Sequence, residues 1–237
     1  MLSREELAET IDRTLKEEVG RVLKTVPRAS HLTDERQELD EEYYLRHRIE
    51  TVKRIRMTSR TDALALASMV DEDYDAARWW SRYVAEELDH DRLYMRDLEK
   101  HGYTWEQVAA VEPFPSTQAM LSYLDAKIRE MGALPAVAYS VCVEWNSERA
   151  SAKVVNRAEK KYSRSHVAGS KAHVGIDETE DHYQVMLDVA YSLVRKHGDV
   201  DVLIRLLKDI MAFLGDYFRD LAEATSRPRE LASASAG

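Results

Sequence analysis

His173-Val174-Gly175-Ile176-Asp177-Glu178-Thr179-Glu180 is the stretch on which the reading of this chain turns. Steps of four and seven residues on an α-helix rotate a side chain by about 40° and −20°, so His173, Asp177 and Glu180 project from one stripe. One imidazole and two carboxylates are ligand types that suit iron or manganese. A solvated helix face carries the same residue types, so the stripe gains meaning only from the segments around it.

Two other segments supply matching groups. In Ala85-Glu86-Glu87-Leu88-Asp89-His90, Glu87 and His90 are three apart and share a helix face. Glu-x-x-His is the spacing of carboxylate-bridged di-iron bundles, although charged helices also reach it by chance. Glu144 follows residues 132–143, Gly-Ala-Leu-Pro-Ala-Val-Ala-Tyr-Ser-Val-Cys-Val, a run without a single charge. A carboxylate ending such a run is expected to be buried, where an unpaired charge is costly. An Arg or Lys, a proton or a metal must therefore lie against it.

The chain has 237 residues, enough for one large helical domain with a full core over residues 1–225. Its 8 Gly and 5 Pro leave little material for turns and argue against an all-β fold. A net charge of −9 disfavours a surface that tracks nucleic-acid phosphates, and the basic cluster 153–164 has no partner stripe. Cys142 is the only cysteine, which excludes an intramolecular disulfide and fits a reducing compartment. No apolar stretch reaches membrane-spanning length, and Met1-Leu2-Ser3-Arg4-Glu5-Glu6 lacks a signal-peptide core. The expectation is a soluble cytoplasmic protein.

Ser3 and Glu6 read as a capping box opening a first helix that runs to about residue 24. A charged helix is expected from residue 35 towards 57, with a fresh start near Thr61. Another is expected over 71–100, stopping at His101-Gly102, and shorter ones over 104–111 and 116–131. Further helices carry Glu144, span 173–195 and run from 200 to about 224. The Ser/Ala-rich segment 226–237 reads as a loose tail. These elements make an all-α single bundle of about seven to nine helices. An apolar face on residues 202–218 would suit a homodimer.

Of the 8 histidines, His101 and His197 precede glycines and read as residues of helix C-termini. His31 falls in a loop, and His47 falls in a polar run and is expected in solvent. His182, nine residues after His173, is expected half a turn away and facing elsewhere. His166 lies seven before His173 and is an alternative to Glu180 on the stripe. Trp79, Trp80 and Trp145 read as core.

Taken in order, Glu-x-x-His, a lone Glu on an apolar helix and the His-x3-Asp stripe resemble the heme-oxygenase-like di-iron oxidases. The resemblance spans Glu87 to Glu180, over a third of the chain. It implies a heme-oxygenase-like bundle in which Glu87, His90, Glu144, His173 and Asp177 hold two Fe(II) ions that activate O2. The family's usual second histidine in the last of these helices is replaced on this reading by Glu180. Members desaturate, fragment, hydroxylate or cyclise amino and fatty acids in natural-product pathways. The resemblance points to the azetidine-forming enzymes of polyoximic-acid biosynthesis, which oxidise branched aliphatic amino acids. The implied substrate is therefore a small aliphatic amino acid, oxidised at an unactivated C–H bond by desaturation or C–N cyclisation, with an external electron donor as a further partner.

An amino acid would need a cation for its carboxylate, and Arg82, Arg149 and Arg164 lie near the expected ligands in sequence, as does Tyr83. A second reading on the same architecture is a thiamin-degrading type of hydrolase with Cys142 as nucleophile. That enzyme would need no iron and leaves the histidine–carboxylate stripe without a role. A third is a non-enzymatic metal-binding helical protein.

Overall fold

The capping box expected at Ser3 is formed. Glu6 N donates to Ser3 Oγ at 3.2 Å and Ser3 N donates to Glu6 Oε2 at 2.7 Å, satisfying amides that a helix start leaves unpaired. Helix α1, Arg4–Thr25, follows. A computed structural model describes the backbone of residues 2–197 and 200–226, with the side chains of the same residues other than 176–180 and 197. Most of the tail expected over 226–237 therefore lies outside the described residues.

Asp40 caps α2, Glu41–Glu72, by accepting from Tyr43 N at 3.1 Å. The fresh start expected near Thr61 is absent. Thr58 and Thr61 turn their hydroxyls back onto the carbonyls of Ile55 and Thr58 at 3.0 and 2.7 Å, so neither caps a new helix. Conversely, the single helix expected over 71–100 is two. Asp73 ends α2 and caps α3, Tyr74–Glu87, accepting from Asp75 N and Ala76 N at 3.2 Å. The chain turns at Leu88 and Asp89 into α4, His90–Lys100, which stops at His101 with Gly102 at φ +86°.

Then come α5 (Trp105–Ala110), α6 (Pro115–Met131) and α7 (Leu134–Asn146). A π-helical turn, Ser147–Ser151, leads from α7 into α8, Ala152–Lys161. The last elements are α9 (Ala168–Glu180), α10 (His182–His197) and α11 (Val200–Ala224). The described residues contain no strand, in keeping with the all-α fold.

Helix α7 packs between α10, α11 and α2. Its Ala136, Val137, Ala138 and Val141 lie in one apolar cluster with Leu7 and Ile11 of α1, Trp80 of α3, Met186 of α10 and Leu207 of α11. The expected apolar face of α11 is thus covered by helices of the same chain. A second cluster joins Tyr43 and Ile49 of α2, Met95 of α4 and Val155 of α8. Leu214 and Phe218 of α11 pack against both clusters. Trp80 is fully buried and donates Nε1 to the Asp62 carbonyl at 3.0 Å, pinning α3 to α2. Trp145 is core as well, but Trp79 is half exposed on the other side of its helix. Among the described residues no helix is long and apolar enough to cross a membrane.

The seating of α9 depends on one glycine. A Cβ on Gly169 would overlap the Leu93 carbonyl of α4, so only glycine permits this approach. Asp97 of α4 fixes the contact by accepting from Gly169 N and Ser170 N at 2.8 Å and from Ser170 Oγ at 2.6 Å. Helix α9 is thereby held against the helix that carries His90.

Candidate metal centre

Glu87 is the last residue of α3 and His90 the first of α4, so the turn between the helices brings them together. Glu87 Oε1 lies 3.0 Å from His90 Nδ1, yet this buried oxygen accepts no hydrogen bond from a described residue. His173 reaches the same place from α9, its ring centroid 4.2 Å from that of His90 and 5.2 Å from that of Tyr94. Glu144 comes from α7, is 3% exposed, and accepts from the Tyr83 hydroxyl at 2.8 Å. Burial, then the Glu144 charge, pushes the Tyr83 hydroxyl well above its ordinary value, so it stays a donor.

His182 completes the arrangement, against the expectation that it faces away. Its Nδ1 lies 3.8 Å from Glu87 Oε1 and 3.9 Å from Glu144 Oε2. The helical phase counted from His173 does not reach it, because Asp181 adopts φ +50° between α9 and α10. Asp tolerates this left-handed conformation better than most residues. His182 Nε2 is 2.8 Å from Glu86 Oε2. A carboxylate can only accept there, so Nε2 carries the proton, and in the neutral imidazole Nδ1 presents a lone pair to Glu87 and Glu144.

Two groups of ligand atoms result, from Glu87, His90 and His173 and from Glu87, Glu144 and His182. Within each, the atoms lie within 4.8 Å of one another, and Glu87 belongs to both. The side chains of Asp177 and Glu180, expected as ligands, lie outside the described residues. His166 is not with His173: it bonds Ser163 Oγ at 2.8 Å and packs on His101 at 4.9 Å between centroids.

Asp62 is a further carboxylate that sequence reasoning missed. It is 8% exposed on α2 and lines the same cavity as Glu87. Burial, and next the Glu87 charge, push its carboxyl up to about 7. The cavity, about 190 Å³, takes its walls from both apolar clusters and includes His47, Arg48, Arg54, Tyr83, Tyr139 and Cys142. Asn146, Ser147 and Ser151, in and beside the π-helical turn, also line it. Such turns are frequent at functional sites.

The expected substrate cations lie elsewhere. Arg82 is exposed and stacks over Trp79 at 5.1 Å. Arg149 pairs with Asp12 at 3.1 Å and Glu148 at 2.9 Å. Arg164 is exposed in a 3-10 turn. His47, expected in solvent, is half-buried in the cavity wall, 2.5 Å from the Tyr217 hydroxyl. Burial, then the Arg48 and Arg54 charges, hold it well below the ordinary histidine range. Cys142 also faces the cavity, and burial pushes its thiol far up.

No protein-family model and no curated protein matches the sequence. Solved structures do. A domain of unknown function with a heme oxygenase-like fold from Shewanella denitrificans OS217 superimposes with a TM-score of 0.79 at 16% identity, over 92% of this chain and 93% of that one. A TenA homologue from Pseudomonas syringae pv. tomato DC3000 gives a TM-score of 0.73 at 14% identity, over 92% and 93%. A TenA homologue from Pyrococcus furiosus gives 0.62 at 14% identity, over 92% and 98%. The chain has the heme oxygenase-like fold.

Proposed function

We propose that this protein is a non-heme di-iron, O2-dependent oxidase of a small aliphatic substrate, with Glu87, His90, Glu144, His173 and His182 as metal ligands. The observation that carries the reading is the pair of histidine–carboxylate groups sharing Glu87, with Glu87 and His173 reaching the wall of the cavity. The donors fit the ions chemically: imidazole nitrogens and carboxylate oxygens are the set that suits iron. They fit electrostatically too. Glu87 stands beside Asp62 on the cavity wall and beside Glu144 in a ligand group, three acids whose mutual repulsion a bound cation would offset. The Glu86–His182 contact supports the reading as well, because a metal-binding imidazole commonly gives its other N–H to a carboxylate.

Two bound irons would supply the reduction of O2 and the oxidising power to break an unactivated C–H bond. Removing two hydrogens from a substrate while O2 becomes two waters takes two more electrons and two protons, which an external donor must provide. The chain's own part is to position and to shield. Tyr83 keeps its proton and donates its hydroxyl to Glu144 Oε1, and so orients that carboxylate. Glu86 fixes the His182 ring. Trp80, through the Asp62 carbonyl, locks α3 to α2 behind the site. An aliphatic amino acid is the substrate the resemblance favours, through desaturation or C–N cyclisation.

The test is O2 uptake by anaerobically Fe(II)-loaded protein supplied with an electron donor, alone and with aliphatic amino acids and fatty acids. Uptake accelerated by one substrate class supports the oxidase, and no uptake under any condition refutes it.

A metal-free hydrolase with Cys142 as nucleophile is the second reading, favoured by the position of that thiol in the same cavity. It would have to overcome a thiol that burial keeps protonated, with no offsetting charge acting on it.

A further inference from the structure

One face of α2 reads His47, Thr51, Arg54, Thr58 and Asp62, and all five line the cavity, with Arg48 beside them. Steps of four, three, four and four keep to one side of a helix. The stripe is polar end to end: its cations lie towards the N-terminus and its carboxylate towards the C-terminus. Arg54 and Asp62 are separated by about 12 Å along the axis, at ~1.5 Å per residue.

Neither the buried Arg48 nor the half-buried Arg54 has, among the described residues, the paired counter-charge that a guanidinium withdrawn from water requires. Arg48 is 5% exposed, and its Nε has no hydrogen-bond acceptor among the described residues. It sits over the rings of Tyr44 and Tyr94, at 5.1 and 5.0 Å, and makes no ion pair with a described residue. Asp97, an acid whose charge acts on it, is already engaged by Gly169 and Ser170. Arg54 lies over the Tyr217 ring at 5.5 Å and likewise makes no ion pair among the described residues. Glu50, which acts on Arg54, is held by Arg46 at 2.7 Å and by Phe114 N at 2.9 Å. Aromatic faces offset only part of the cost of burying a cation. An anion from outside the chain would complete both sites.

The rest of the cavity narrows the choice. Ile55, Val84, Leu88, Val143, Ile210 and Leu214 give it apolar walls. Asp62 and Glu87 at the other end disfavour a multiply charged anion. A volume of about 190 Å³ is below the ~300–1,000 Å³ of sites that take drug-sized ligands, so the guest is small. We propose that Arg48 and Arg54 form a carboxylate-binding pole, and that the substrate is a small aliphatic monocarboxylate lying with its apolar chain towards Glu87. This deepens the oxidase reading and rests on it for the chemistry at the far end, but not for the binding.

The test is calorimetric titration of the metal-free, full-length protein with hexanoate, L-leucine, hexanamide, L-leucinamide and inorganic phosphate. The expected result is at least tenfold tighter binding of a carboxylate than of its amide. Arg48→Met and Arg54→Met should each abolish that preference, and Arg54→Lys should retain part of it. Helical content and cooperative thermal unfolding of the variants establish that they are folded. Equal binding of acid and amide, tighter binding of phosphate, no binding of either carboxylate, or an intact preference in the folded Met variants would overturn the proposal. Because iron is absent, its failure leaves the metal-centre reading standing, and loss of the metal centre leaves this selectivity unchanged.

Discussion

His182 Nδ1 lies 3.8 Å from Glu87 Oε1, although the two come from different helices and the phase of α9 would turn His182 away. The left-handed Asp181 between α9 and α10 makes the contact possible. Glu87 thereby belongs to two ligand groups at once, which is why the site reads as a place for two ions.

His182→Ala should remove one of the two irons and leave the other. Glu86→Gln, which keeps the size of the side chain that bonds His182 Nε2, should weaken iron binding about 10–100-fold, the usual cost of losing such a support. Anaerobic Fe(II) titration of both variants measures this. Unchanged affinity in Glu86→Gln would mean that the contact does not serve a metal ligand.

Gly169→Ala tests the seating of α9. The added methyl meets the Leu93 carbonyl, which is backbone and cannot step aside. The expected loss is about 1–3 kcal/mol of stability, as for other forced overpacking, together with weaker iron binding through displacement of His173. Urea unfolding and Fe(II) titration read the two effects separately.

In the metal-free protein Asp62 should make stability fall as pH rises. Its carboxyl is pushed up to about 7 by burial and the Glu87 charge, against 3.8 ordinarily. Between these values the folded state holds a proton that the unfolded state has released. Its contribution is thus complete below about pH 4 and lost on approach to pH 7, with a slope of at most ~1.4 kcal/mol per pH unit. Asp62→Asn should remove that slope in urea unfolding at several pH values. Bound iron should suppress it also, since a nearby cation favours the carboxylate.

Cys142→Ala should retain O2-dependent activity nearly in full. The thiol is held protonated by burial, and its packing volume is small. Loss of a metal-independent hydrolytic activity in this variant would favour the second reading.

The helical class was legible from the scarcity of Gly and Pro and from caps such as Ser3/Glu6 and His101-Gly102. Glu87, His90, Glu144 and His173 could be singled out because their signals are local: a three-residue spacing, an acid closing a charge-free run, and a histidine on an acidic stripe. His182 could not, because counting helical phase assumes an unbroken helix, and Asp181 breaks it. Asp62 was hidden by a mistaken helix start at Thr61, although the His47–Thr51–Arg54–Thr58–Asp62 periodicity was there to be read. Arg82 and Arg149 show the converse limit: nearness in sequence to a ligand does not place a side chain in the same cavity.

Anaerobic titration of the wild-type protein with Fe(II), followed by iron counting after removal of loosely held metal, decides whether Glu87 anchors a two-ion centre. About two irons per chain are expected, falling to one or fewer in Glu87→Ala while the variant stays folded. Wild-type protein that retains no more iron than folded Glu87→Ala would contradict that role.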